Sequence, residues 1–321
     1  MKKDYYIFTS GELKQQNYNL VLIGTDGTKK VIPIESISNL FVYSVLHLNT
    51  TLFEYLGQID INIHFFDYYS NYKGSFISKN AQHSGNTHVK QAQCYLDDNK
   101  RLYLAKEFVR GAMFGIHKNM QDYNIVSQYD EYIKKLDSCS NVSEVMGVEG
   151  TFRKKYYDAF DYMFNRYKFE KRTKQPPKNE INALISFGNS MMYSYCLNAI
   201  KQTYLNSTIS FLHEAGDRRH SLCLDISEIF KVNIVDKVIL KVINKNIIKD
   251  EHFNKEDTFC YLNDKGRKIF VREMEDKLNS TFFHRKINKN TSYKNLIKLE
   301  CYKLCKHILD DEVYVALKLD S

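Results

Sequence analysis

The spacing of the apolar residues changes along this chain, and that change constrains the fold more than any other feature. Between residues 4 and 80, short segments rich in β-branched and aromatic residues alternate with turn signals, which is typical of strands. From Val89 onward, apolar residues recur at three- and four-residue steps, the period of an amphipathic helix. The sequence therefore predicts a two-domain α+β protein, with a small β-sandwich-like domain over 1–85 and a larger all-α domain over 86–321.

The first of these domains contains a clear hairpin signal. Asp26-Gly27 lies between two apolar runs, and this dipeptide favours a tight turn. A short helix is predicted at Thr51–Leu56, and the polar segment Ala81–His88 is a candidate linker. The predicted strands are Tyr5–Phe8, Leu20–Ile23, Lys30–Ile34, Leu40–Tyr43, Asn62–Phe66 and Gly74–Ile77.

The net charge of +8 is distributed unevenly between the two predicted domains. Residues 1–85 hold seven lysines and seven acids, whereas residues 86–321 hold 39 Lys or Arg and 31 acids. A basic domain beside a neutral one indicates that the second domain meets a polyanion. A solvated surface with a lysine bias is the alternative.

Cysteine usage and hydropathy indicate the compartment. The seven cysteines are scattered without a Cys-x-x-Cys pair, which favours a reducing compartment over a disulfide framework. Cys301, Cys305 and His307 could suggest zinc, although such spacing is more often one face of a helix. The longest uncharged run, Ile181–Ile200, is too polar for a membrane span, and no signal peptide is visible. We expect a cytoplasmic protein.

Three segments carry candidate chemistry. Glu149 stands between Gly147 and Gly150 at the start of a predicted helix, where it could also be an ordinary glutamate favoured by the helix dipole. His213 closes an apolar run and could equally be a core histidine. Asp225 and Glu228 are three residues apart, so they share one face of a predicted helix.

Two neighbouring acids on an apolar helix require a compensating cation. A salt bridge from Arg218 or Arg219 is one way to supply it, and a bound metal is the other. A histidine with carboxylates makes a hard, mostly oxygen site, which suits Mn²⁺ or Mg²⁺ better than Zn²⁺. Such an ion can polarise a phosphate and activate an attacking oxygen.

Basic and aromatic residues interleave near these segments. Residues 166–178 hold six basic residues and one acid, and residues 285–306 hold seven basic residues and one acid. These are candidate phosphate contacts without sequence preference, and a solvated face is the alternative. The candidate DNA-contacting residues are Arg172, Lys174, Arg218, Arg219 and Lys231.

Several motifs follow one another in order along nearly the whole chain. The acidic and histidine motifs are Gly147-x-Glu149-Gly150 with Tyr156-Tyr157, Phe211-Leu-His213, and Ser221-Leu-x-Leu-Asp225-x-x-Glu228-x-Phe230. The remaining motifs are Pro176-Pro177, Asn182–Asn189 with Met192-Tyr193, Gly266-Arg-Lys268 and Ser292-Tyr293. In this combination and order, the motifs resemble those of the CRISPR-associated integrases, the Cas1 family. Where the family often has Pro after the second acid and Arg-Pro after the Phe, this chain has Ile229 and Lys231-Val232, a departure that concerns the local loop shape and not the metal site.

The resemblance implies a metal-dependent endonuclease and integrase that inserts new spacer DNA into a repeat array. It assigns metal ligation to Glu149, His213 and Glu228, with Asp225 as a neighbouring catalytic acid that ligates or orients the ion. It also implies a homodimer that joins the small Cas2 protein and binds duplex, branched or 3′-overhang DNA, with no membrane partner. The second domain would be catalytic, and the first would make the dimer and partner contacts.

Two other functions stay open at this point. One is a stand-alone metal nuclease that acts on branched or single-stranded DNA. The other is a non-catalytic nucleic-acid-binding scaffold whose acids are structural.

Overall fold

The computed structural model describes residues 3–67, 72–78, 84–216, 220–284 and 288–319. The chain divides into two compact units, residues 1–81 and residues 82–321. Strands and helices are both present, as the α+β prediction requires. Within the described residues, no helix has both the length and the apolar character that a membrane crossing needs.

The first unit contains two four-stranded sheets and a helix. One sheet has the order β1 (Lys3–Ile7), β5 (Ile37–Val42), β7 (Asn62–Phe66), β8 (Tyr72–Phe76). Its first two pairings are parallel and its third is antiparallel. The other sheet has the order β4 (Lys29–Ile32), β3 (Asn19–Gly24), β2 (Gly11–Gln16), β6 (Leu46–His47). Helix α1 spans Thr50–Gln58, and its N-cap Asn49 accepts a hydrogen bond from the Leu52 backbone.

One apolar core joins these elements. Leu13 and Leu22 from one sheet, Leu40 and Ile63 from the other, and Leu52 from α1 belong to a single buried cluster. Period-2 alternation directs these side chains inward, and their burial supplies the main stabilisation of the unit.

The predicted hairpin at Asp26-Gly27 is confirmed, because β3 and β4 pair antiparallel around it. Gly27 adopts a φ of 79°, a conformation that glycine reaches without steric cost. Strand β2 escaped prediction because its sequence GELKQQ is polar, although Leu13 is fully buried. Strand β4 ends at Ile32 rather than residue 34, since Pro33 cannot donate to a ladder.

The second unit is mainly helical. Ten of its helices are described. They are α2 (Gly85–Leu96), α3 (Asp98–Gln121), α4 (Tyr129–Ser138), α5 (Val142–Asp158), α6 (Phe160–Met163), α7 (Glu180–Lys201), α8 (Ser221–Lys231), α9 (Lys237–Asn244), α10 (Asp264–Asn279) and α11 (Tyr293–Asp310). A five-residue π-helix, Val232–Asp236, joins α8 to α9.

Helix α7 forms the buried centre of this unit. A Cβ added to Gly188 would lie 2.5 Å from the Val235 side chain and 3.2 Å from the Phe270 ring. Only glycine therefore permits α7 to pack this closely against the π-helix and α10. This tight packing fixes α8, which precedes the π-helix and carries two of the candidate site residues.

The prediction that the second domain is all-α was wrong. Strands β9 (Phe253–Glu256) and β10 (Phe259–Leu262) pair antiparallel, as do β11 (Thr281–His284) and β12 (Lys289–Ser292). These four-residue strands are too short for their alternation to stand out beside long helices. The backbone N–H of Cys260 in β10 also donates to the Pro177 carbonyl at 2.7 Å, a long-range contact that local patterns do not reveal.

The candidate linker over 81–88 was also partly wrong. Helix α2 already begins at Gly85, and its N-cap Ser84 accepts a hydrogen bond from the Thr87 backbone. Capping by a serine offsets the poor helix propensity of the polar residues that follow. The first part of that segment, 81–83, lies outside the described residues.

Candidate metal centre

Glu149 lies in the middle of α5, and the prediction that it stands near a helix start was wrong. The helix begins at Val142, because Asn141 caps it by accepting a hydrogen bond from the Glu144 backbone at 2.9 Å. The helix dipole therefore does not explain Glu149, since its effect is confined to the first turn. A Cβ added to either Gly147 or Gly150 would meet open space, so these glycines leave room on both sides of the carboxylate.

A loop between α7 and α8 carries His213. Gln91 of α2 holds this loop, because its amide nitrogen donates to the carbonyls of Asn206 at 2.9 Å and Ile209 at 2.7 Å. Its amide oxygen accepts from the Asn206 backbone at 2.8 Å. Arg101 adds a bond from Nε to the Phe211 carbonyl at 3.1 Å. The segment before His213 is therefore fixed by side chains more than one hundred residues away in sequence.

Asp225 orients His213 by hydrogen bonds. Its side chain is fully buried on α8, and Oδ1 accepts from His213 Nδ1 at 2.8 Å and from the His213 backbone N–H at 3.0 Å. Oδ2 accepts from the backbone N–H groups of Phe211 at 2.6 Å and Leu212 at 3.0 Å. Because a carboxylate can only accept, Nδ1 carries a proton, and Nε2 is the ring nitrogen left for an ion.

Glu149 and Glu228 share one guanidinium. Arg153 Nε donates to Glu149 Oε1 at 2.5 Å, and its Nη2 donates to Glu228 Oε2 at 2.5 Å. Lys231 Nζ binds the other oxygen of Glu228, Oε1, at 2.5 Å. The two carboxylates, from α5 and α8, therefore converge on a single cation.

The electrostatics of the site follow from burial and these contacts. Burial acts to raise the pKa of Glu228, but Lys231 and Arg153 outweigh it and hold the pKa at about 2. Burial acts to lower the pKa of His213, but its bond to the Asp225 carboxylate outweighs it, so that pKa is raised. The positive charge of a protonated His213 also lowers the pKa of Glu228.

A further buried acid lies beside this cluster on the π-helix. Burial raises the pKa of Asp236 to about 6, against the opposing charge of Arg153. Tyr156 donates to Asp236 and accepts from Asn119 Nδ2 at 2.6 Å. The π-helix, which is often found at functional sites, places this acid next to the candidate centre.

The carboxylates of the candidate centre are paired with cationic side chains of the protein. Within the described part of the chain, no three His, Cys, Asp or Glu side chains are placed so that they could hold a metal ion. The contacts explain this, because both glutamates turn toward Arg153 and Glu228 also pairs with Lys231. The donor types themselves, two carboxylates and one imidazole nitrogen, suit a hard divalent cation such as Mn²⁺ or Mg²⁺.

The candidate DNA-contacting residues lie in different environments. Arg172 is half-buried, and its guanidinium donates to Asn182 Oδ1 at 2.9 Å and Ser186 Oγ at 3.0 Å. Lys174 is exposed, and Lys231 pairs with Glu228. Arg218 and Arg219 lie outside the described residues. The DNA contacts of all five remain predictions.

Sequence reasoning missed Arg153. Its signal was present, because a glutamate and an arginine four residues apart face each other on a helix. That spacing predicts the contact with Glu149, but the contact with Glu228 joins residues 75 apart and has no local signature. Asp236 was missed for a similar reason, since a π-helix is not visible in an apolar run.

Comparison with known proteins places this geometry in context. The family model for the CRISPR associated protein Cas1 matches residues 5–276. A CRISPR-associated endonuclease Cas1 from Thermodesulfovibrio yellowstonii is 43% identical over 321 residues, covering 98% of this chain and 99% of the relative. A Cas1 endonuclease from Clostridium perfringens is also 43% identical, with 99% of each chain covered.

Solved structures show the same fold. A CAS1 protein from Thermotoga maritima superimposes with a TM-score of 0.88 at 36% identity, covering 98% of this chain and 100% of that one. A casposase bound to integration product also gives a TM-score of 0.88, but at 21% identity, covering 100% and 94% of the two chains. At that identity the second likeness concerns the fold alone.

Proposed function

This chain belongs to the Cas1 family of CRISPR-associated proteins, and we propose that it is a metal-dependent DNA endonuclease and integrase of CRISPR adaptation. In the proposed reaction, the 3′-hydroxyl of a new spacer attacks a phosphodiester of the repeat. A phosphorus–oxygen bond to the spacer forms, and the bond to the repeat's 3′-oxygen breaks and leaves a 3′-hydroxyl. The substrate supplies the nucleophile, so the protein needs no nucleophilic side chain.

One observation carries this proposal. Two carboxylates from separate helices, Glu149 and Glu228, converge on one cation, and an imidazole is hydrogen-bonded to buried Asp225, one turn before Glu228 on α8. Glu149, His213 and Glu228 would hold Mn²⁺ or Mg²⁺. When bound, such an ion supplies Lewis-acid polarisation of the phosphate.

Each residue of the site has a role that its contacts suggest. Glu149 and Glu228 provide anionic oxygens, and Glu228 stays ionised because its pKa is about 2. His213 offers Nε2, because Asp225 already occupies Nδ1. Asp225 accepts four hydrogen bonds from the 211–213 segment, so we assign it the orientation of His213 rather than direct ligation.

The proposed DNA partner is duplex, branched or carries 3′ overhangs. Lys174 is a suitable phosphate contact because it is exposed, and it belongs to the basic stretch 166–178. Contacts of this kind position DNA without reading its sequence. We further propose that the protein works as a homodimer with a small Cas2 partner, and that the first unit makes these contacts.

A strand-transfer assay tests the function. The protein is incubated with Mn²⁺, a repeat-containing plasmid and a short duplex with 3′-hydroxyl ends, with and without Cas2. We expect joined product from the wild-type chain and none from His213→Ala with an unchanged circular dichroism spectrum. Retained joining by His213→Ala would contradict the metal assignment. Cleavage that never yields joined product would instead favour a stand-alone nuclease.

A further inference from the structure

Arg153 differs from an ordinary surface arginine, because it is mostly buried and bridges two carboxylates. It reaches Glu149 one turn earlier on α5 and Glu228 on α8, through two different nitrogens of one guanidinium. The three side chains are mostly buried, with exposed fractions of 15% for Arg153, 21% for Glu149 and 9% for Glu228. Charge-assisted contacts of this kind are stronger than exposed ion pairs, because water competes for them less.

The carboxylates of Glu149 and Glu228 already have protein cations as partners. Arg153 and Lys231 bring two positive charges to two carboxylates, which is the charge that one divalent cation would bring. Arg153 also occupies an oxygen of each glutamate, Oε1 of Glu149 and Oε2 of Glu228. A metal ion that binds both glutamates therefore meets a position already held by a protein cation.

We propose that Arg153 is a positioning residue that serves as an internal counterion for the metal ligands. It holds Glu149 and Glu228 together before an ion binds, and its two hydrogen bonds must be exchanged for the ion. This inference rests on the proposed function, since it takes Glu149 and Glu228 as ligands. Its consequence is that Arg153 weakens metal affinity while it stabilises the ion-free protein.

Two effects of removing Arg153 act on metal affinity in the same direction. Removing Arg153 removes a competitor for the carboxylate oxygens. It also leaves two nearby carboxylates without a shared cation, and their repulsion is relieved when an ion binds. A neutral residue at position 153 should therefore tighten Mn²⁺ binding, whereas a residue that helps to orient bound metal would weaken it when removed.

The chain offers a matched control arginine on α3. Arg110 also spans two carboxylates, through Nε to Glu107 at 2.9 Å and through Nη2 to Asp137 at 2.7 Å. Its exposed fraction of 20% is close to that of Arg153. Arg110→Gln therefore reproduces the loss of a bridging guanidinium away from the candidate centre.

The experiment is a Mn²⁺ titration of the full chain, in which electron paramagnetic resonance measures the free ion at each step. Arg153→Gln should lower the Kd for Mn²⁺ about tenfold, which corresponds to about 1.4 kcal/mol. It should also lower the ion-free melting temperature and enlarge the rise on adding saturating Mn²⁺. Arg153→Lys should lower the Kd by a smaller factor, because one ammonium cannot span both carboxylates as a guanidinium does. Arg110→Gln should leave the Kd unchanged.

An unchanged or raised Kd in Arg153→Gln would overturn the inference. Should that variant fail to fold without ions, Arg153→Lys decides, since an unchanged Kd there would overturn it equally. The proposed function has a separate criterion, because Glu149→Gln must weaken Mn²⁺ binding. If Glu149→Gln weakens binding and Arg153→Gln does not tighten it, the metal site stands and only the counterion role of Arg153 fails.

Discussion

Asp225 holds His213 at two points, the ring nitrogen Nδ1 at 2.8 Å and the backbone N–H at 3.0 Å. The same carboxylate also accepts the backbone N–H groups of the two preceding residues. One buried side chain on α8 therefore shapes the loop and sets the orientation of the imidazole. This links the second acidic motif to the histidine motif through a single acceptor.

Replacing Asp225 tests this link. In Asp225→Asn, the amide can offer only one acceptor oxygen where the carboxylate offers two, so part of the 211–213 segment loses its partner. We expect Mn²⁺ affinity to fall by about 10–100-fold, as is typical when the partner of a ligating histidine is changed. Unfolding free energy should fall by about 1–3 kcal/mol. A Mn²⁺ titration and urea unfolding measure the two effects.

The control for this change is Asp137→Asn, which alters an exposed acid paired with Arg110. It should leave Mn²⁺ affinity unchanged and change stability by less than about 0.5 kcal/mol. Wild-type Mn²⁺ affinity in Asp225→Asn would show that Asp225 does not orient a ligand.

Glu149, His213, Asp225 and Glu228 could be named from the sequence as candidates, but their arrangement around Arg153 could not. Asp225 and Glu228 share a helix, so their proximity follows from spacing alone. The sequence does not decide whether Asp225 ligates an ion or orients His213, because the answer depends on the path of a loop. Gln91 fixes that loop from a helix 115 residues away, and no local pattern encodes such a contact.

Some elements of the fold are determined by local sequence, and others by contacts between distant residues. The Asp26-Gly27 hairpin and the long helix α3 were predictable, because turn chemistry and a 3.6-residue period are local properties. Strand β2 was not, since its pairing with β3 and β6, rather than its own propensity, makes the polar segment a strand. The hairpins of the second unit likewise depend on packing rather than on propensity.

Arg172 and Lys174 are two positions apart, but substituting the first should affect stability and substituting the second should affect DNA binding. Arg172 donates to Asn182 and Ser186, so Arg172→Met removes two hydrogen bonds from a charged donor and should lower the unfolding free energy by about 1–3 kcal/mol. Lys174 is exposed, so Lys174→Met should leave stability unchanged. It should reduce the salt dependence of DNA binding by the equivalent of about one phosphate contact.

Urea unfolding and DNA-binding isotherms at several salt concentrations distinguish these roles. If Arg172→Met kept wild-type stability and lowered the salt slope instead, Arg172 would be a DNA contact rather than a structural residue.

A buried histidine predicts a pH dependence of stability. Burial lowers the pKa of His64 from 6.5 to about 4, so the unfolded chain binds a proton that the folded chain excludes between these values. Stability from this group is therefore complete above pH 6.5 and is lost as the pH falls toward 4. At 1.36 kcal/mol for each pKa unit, wild type should lose about 2 kcal/mol more than His64→Gln between about pH 7 and pH 5.

Urea unfolding at the two pH values measures that difference. His47→Gln is the matched control, because this histidine of the same unit is exposed. It should lose as much stability as the wild type. Equal losses in the wild type and His64→Gln would show that the folded protein tolerates a protonated His64.

Mn²⁺ binding to Glu228→Gln is the decisive test of a divalent-cation site that includes Glu228. The control is Glu273→Gln, because Glu273 is a similarly buried helix glutamate whose carboxylate pairs with Lys241 at 2.6 Å. Electron paramagnetic resonance of free Mn²⁺ gives the Kd for each protein. We predict that Glu228→Gln raises the Kd at least about tenfold, by the loss of an anionic ligand, while Glu273→Gln binds as the wild type does. Wild-type affinity in Glu228→Gln would contradict the account.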